Sequence, residues 1–127
     1  MKPFASLYAC AALGVVALLP ASALADGPQA MGIAANHAGL AANAGGIDMV
    51  HTHLHHVLNC LVGPGGDGFD AAPGNPCGMA GGAIPQTADA ATKAKLQTAA
   101  TQAKAGIANA DMAGAKKTAS DIQAMLK

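Results

Sequence analysis

Large apolar residues recur every seven positions between Gly27 and Val62, at Ile33, Leu40, Ile47, Leu54 and Leu61, with Val50, Val57 and Leu58 filling the same side. That period fits a helical face and not the two-residue alternation of a strand. The pair Gly45-Gly46 interrupts it, and paired glycines are costly inside a helix. The pattern therefore predicts a hairpin, with helices near 28–44 and 48–62 and Asp48 capping the second. The unbroken heptad also fits one continuous rod through both segments.

Residues 63–85 are crowded with glycine and proline and predict a long loop. Loops of this length are usually functional or tied down. Beyond Pro85, Thr87 is placed to cap a helix reaching about Asn109, with Leu96, Ala99, Ala103 and Ile107 along one stripe. Asp111 is placed to cap a last helix that carries Ala115, Ala119, Ile122 and Leu126 on one face. The expected fold is all-α: a small antiparallel four-helix bundle of two helical hairpins, joined by the Gly/Pro-rich loop.

The first 25 residues read as an address rather than as part of that fold. Lys2 supplies a positive charge, an apolar run follows from Leu7 to Leu19, and Ala23-Leu24-Ala25 makes a small-residue cleavage site, the order of a secretory signal. A lipoprotein reading at Cys10 fits less well, because the apolar run follows that cysteine instead of preceding it. The expected mature chain, 26–127, is then a single domain in the periplasm or secreted, with no membrane segment after cleavage. Of three cysteines, Cys60 and Cys77 remain, and an oxidising compartment makes their disulfide the default.

Composition removes several classes of function. The chain is 52% hydrophobic, 2% aromatic and 11% charged, has no Trp, Glu or Arg, and carries no net charge. Without a positive field, nucleic acid is not an expected partner. A carboxylate-rich di-iron bundle wants several Glu, which are missing. No nucleophile is paired with a base in a recognisable motif, so the chain is not read as an enzyme. Alanine supplies most of the apolar content, and a core of small side chains buries little area per residue. Further stability is expected from the disulfide, a metal ion or assembly into a homo-oligomer.

Four of the five histidines fall within Val50–Val57, which composition alone does not explain. Taking Leu54 as the core direction, His51 lies about 60° and His55 about 100° to one side, a pair at i and i+4 that can share a metal ion. Asp48 falls near the same stripe, and so does His37 on the rod reading. His51 and His55 are the principal candidate ligands, with His37 and Asp48 as helpers. On the other side His53, His56 and Cys60 form a second stripe at i, i+3 and i+7, weakened as a site if Cys60 is held in a disulfide. Such a set suits a divalent transition metal, Cu, Ni or Zn, to be bound, sequestered or delivered. The competing reading is a periplasmic stress or protein-interaction module whose histidines are structural or sense pH.

Taken together, an exported, alanine-rich chain of two helical hairpins with histidines at helical spacing resembles the small periplasmic metal-binding four-helix proteins. That resemblance implies copper or nickel handling, with His37, His51 and His55 at positions where the pattern places histidines. The chain departs from it in having no histidine in its last two helices and in the segment from Asn59 to Cys77.

Overall fold

The computed structural model describes residues 26–127, so the leader read over residues 1–25 lies outside the described residues. Within them the chain is all-helical, with α1 at Asp26–Asn43, α2 at Ile47–Val62, α3 at Ala83–Gln86, α4 at Ala90–Ala108 and α5 at Met112–Leu126, and no strand. Helix α1 packs on α2 and α5, and α4 packs on the same two helices.

The glycine pair decides between hairpin and rod. Helix α1 stops at Asn43, and α2 begins after an extended Gly46, φ −152° and ψ 154°, which no helix interior adopts. Gly46, not Asp48, is the N-cap; Asp48 sits in the first turn, where its charge favours the positive end of the helix. The turn resets the phase of the heptad. Leu54 and Leu61 are fully buried, but Leu40 is 44% exposed. The buried face of α1 is instead a row of alanines, Ala30, Ala34, Ala38 and Ala41.

The segment expected as loop contains a fifth helix. Four residues are too few to carry a periodic signal, and α3 owes its place to the end of α2. Gly63 closes α2 at φ 74°, and its α-carbon approaches Gly82 so closely that a Cβ there would overlap the Gly82 backbone. Only glycine meets both demands. Thr87 closes α3, its hydroxyl donating to the Ala83 carbonyl, and does not cap α4. Asp89 does, its carboxylate accepting from the Thr92 amide at 2.7 Å. Asp111 caps α5 through the Gly114 amide, and Ala115, Ala119, Ile122 and Leu126 are all buried as their spacing predicts.

Cys60 and Cys77 form a disulfide, Cα–Cα 5.4 Å, across 17 positions of sequence. The loop it closes is further held by Asn59, a fully buried polar side chain. Its Nδ2 donates to the carbonyls of Asp70 and Gly74, and its Oδ1 accepts from the Asp70 amide. A buried amide left without partners would cost about 1–3 kcal/mol, so this clamp is the condition for placing Asn59 inside. No helix among the described residues is long and apolar enough to cross a membrane.

Candidate metal centre

The α1–α2 hairpin folds His37 of α1 against His53 and His56 of α2, which share a face at i and i+3. His37 Nδ1 lies 3.1 Å from His53 Nδ1 and 3.3 Å from His56 Nδ1. Each of the three rings offers a nitrogen within 4.8 Å of the others, and all three are half-buried. The His37 and His56 rings meet edge to face, centroids 4.7 Å apart, so they converge through nitrogens and not by stacking.

The partner of His56 fixes its hydrogen. His56 Nε2 lies 2.8 Å from the Pro73 carbonyl, which can only accept, so Nε2 carries the N–H. In the neutral ring Nδ1 then presents a lone pair to His37. Placing Nδ1–H on both His37 and His53 would set two hydrogens against each other across 3.1 Å, and under every other assignment of neutral rings at least two lone pairs point into the same space. A cation at that point would satisfy all three. Tetrahedral coordination at the usual 2.0–2.1 Å metal–nitrogen distance sets ligand nitrogens about 3.3 Å apart, close to both separations here. The Pro73 carbonyl is the outer partner that metal-bound imidazoles commonly have, fixing tautomer and ring orientation.

Electrostatics keeps the rings in their ligand-competent form. Burial, and then repulsion from His56 and His53 when they carry protons, lowers the His37 pKa from 6.5 to about 4. His53 is lowered by burial first and by His56 second. At neutral pH both present lone pairs. A neutral set of three imidazoles suits Zn, Cu or Ni and not hard cations such as Ca or Mg.

The remaining candidates lie elsewhere. His51 points to the α4–α5 turn, where its Nε2 donates to the Asn109 carbonyl at 2.9 Å. His55 Nδ1 is buried with no hydrogen-bond partner among the described residues, as is Gln102 Oε1. Asp48 is exposed. The structure thus brings His37 to the second stripe and not to His51, His55 and Asp48, because the hairpin replaces the rod on which that grouping depended. Cys60 is tied to Cys77 and has no thiolate to offer. The Pro73 carbonyl and the Asn59 clamp were missed: a backbone acceptor leaves no mark in a sequence, though a polar Asn59 between Leu58 and Cys60 on an inward face was a sign. No known family model, curated protein or solved structure matches the chain.

Proposed function

We propose that this chain is an exported protein that binds a divalent transition-metal ion, Cu, Ni or Zn, through the Nδ1 atoms of His37, His53 and His56, to sequester or deliver it without catalysing a reaction. One observation carries the reading: ring nitrogens of His37, His53 and His56 gather within 4.8 Å of one another, with His37 Nδ1 at 3.1 and 3.3 Å from the other two. We take α1, α2, α4 and α5 as the antiparallel four-helix bundle that supports the site, with α3 as an accessory turn. The secretory pattern of residues 1–25 and the disulfide support an oxidising compartment, the periplasm or outside the cell.

Titration of Zn²⁺ and Cu²⁺ into the protein, purified without a metal-affinity step, tests this. Wild type is expected to bind with 1:1 stoichiometry, His53→Ala/His56→Ala to lose binding, and His51→Ala/His55→Ala to retain it. Loss only in the last variant would move the site to the other face of α2. No binding tighter than about millimolar, an association free energy of only about −4 kcal/mol, would refute the metal reading and leave a pH-sensing interaction module, which the lowered His37 pKa favours.

A further inference from the structure

The loop over the histidines is built as carefully as the site itself. His56 hydrogen-bonds to Pro73, and the next residue, Gly74, gives its carbonyl to Asn59 Nδ2 at 2.8 Å. Three positions further on, Cys77 is joined back to Cys60, one turn beyond His56 on α2. Asn59 and Cys60 are fully buried, and Cys77 is 6% exposed. Three attachments within little more than one turn of α2 therefore fix one carbonyl against one imidazole. Gly74 adds a steric condition: it sits at φ 107°, and a Cβ there would lie 3.2 Å from His56 Nε2. The loop approaches that ring as closely as a backbone without side chain allows.

We propose that the segment Asp70–Cys77 is the outer shell of the histidine site, and that the Cys60–Cys77 disulfide is what assembles it, so that the oxidised chain binds metal tightly and the uncrosslinked chain does not. The inference rests on the metal reading above and adds its regulation. Oxidation proceeds by exchange with a disulfide-bearing partner. The Cys60 and Cys77 thiols give up two electrons and two protons, their S–S bond forms, and the partner's disulfide is reduced to two thiols. Before that step only the hydrogen bonds of Asn59 and His56 hold the loop in place, and the ring turns its Nδ1 away from His37 more readily. A chain still in a reducing compartment then holds metal weakly, and the site matures only with the disulfide.

The test measures Zn²⁺ affinity by competition with a chromophoric chelator. It compares oxidised wild type, Cys60→Ser/Cys77→Ser, which lacks both tether and thiols, and Gly74→Ala, which keeps the disulfide but pushes the loop off His56. Loss of an outer-shell partner typically weakens metal binding about 10–100-fold, and that loss is expected in both variants. Imidazole ¹⁵N shifts provide a readout that a general loss of stability would not move: His56 should be held as the Nε2–H tautomer in wild type and mixed in the variants. If the serine pair fails to fold, Cys60→Ala/Cys77→Ala, which places no hydroxyl in the buried pair, decides the part of the disulfide, and Gly74→Ala decides that of the loop. Wild type binding zinc while the folded variants bind within about twofold of it, where the outer-shell effect should exceed about tenfold, would overturn this inference and leave the metal reading intact. Failure of wild type itself to bind zinc would overturn both.

Discussion

Replacing His37 by Leu should change stability in opposite directions depending on what is added. The folded state lowers the pKa of His37 from 6.5 to about 4, so between those values the unfolded chain takes up the proton first. Stability is therefore greatest above pH 6.5 and is lost as pH falls toward 4, after which no more is lost through this group. At about 1.4 kcal/mol per pKa unit the shift has a ceiling of about 3.4 kcal/mol. The ring is partly open to solvent, whose screening reduces this to about 1–2 kcal/mol. Leu has no proton to gain, so the variant should keep that share of stability in acid. In a domain of this size it corresponds to roughly 5–10 °C in thermal midpoint. Zinc should reverse the order. Near neutral pH, free Zn²⁺ at a hundredfold over Kd stabilises a competent site by about 2.7 kcal/mol, more than 10 °C, and the variant should show little of it. Thermal unfolding followed by far-UV circular dichroism, in chelator at about pH 7.5 and 4.5 and then in zinc at about pH 7.5, reads all three effects. Identical acid slopes in variant and wild type would refute the electrostatic argument. An undiminished zinc shift in the variant would remove His37 from the ligand set.

Four further substitutions test the packing that positions the site. Gly106→Ala brings a Cβ within 2.8 Å of Leu54 Cδ1 and 3.3 Å of Thr118 Cγ2; overpacking of about 1–3 kcal/mol should outweigh the gain of about 1 kcal/mol in helix propensity, lowering the denaturation midpoint. Asp111→Ala removes the acceptor for the Gly114 amide and should cost about 1 kcal/mol, read in urea titrations as a lower midpoint at unchanged slope. Leu54→Ala should cost about 2–5 kcal/mol and Leu40→Ala less than about 0.5 kcal/mol, although both belong to the same heptad; equal costs would contradict the phase reset at Gly46.

Where the sequence was legible, the signal was local. The α5 face could be read directly, because Asp111 and the spacing of Ala115, Ala119, Ile122 and Leu126 all lie within one helix. The disulfide was legible because Cys60 and Cys77 are the two cysteines beyond the expected leader. Leu40 misled because a seven-residue period continues across a turn that it does not detect. The candidate ligands divide between two places for the same reason. His53 and His56 share a stripe by helical geometry alone, but which stripe meets His37 depends on how α1 folds back, and that is a tertiary fact. Thr87 and Asp89 are both good caps two positions apart, and the choice between them was made by α3, whose four residues gave no period to read.

The alanine face of α1 has a consequence for how the molecule opens. Ala30, Ala34, Ala38 and Ala41 bury little area each, whereas α2 contributes Leu54, Leu58 and Leu61 to the interior. Burial free energy scales with apolar area, so the fully buried face of α1 contributes less per residue than that of α2, with Met31 and Ile33 packed partly buried beside it. It supplies one of the three imidazoles, while α2 supplies the other two. An ion at the centre would therefore act as a rivet between the two helices, raising the opening free energy of α1 above what its own side chains provide. Metal occupancy would then be recorded as slowed amide exchange along Asp26–Asn43, with the exchange of α5 serving as the internal clock against which that slowing is measured.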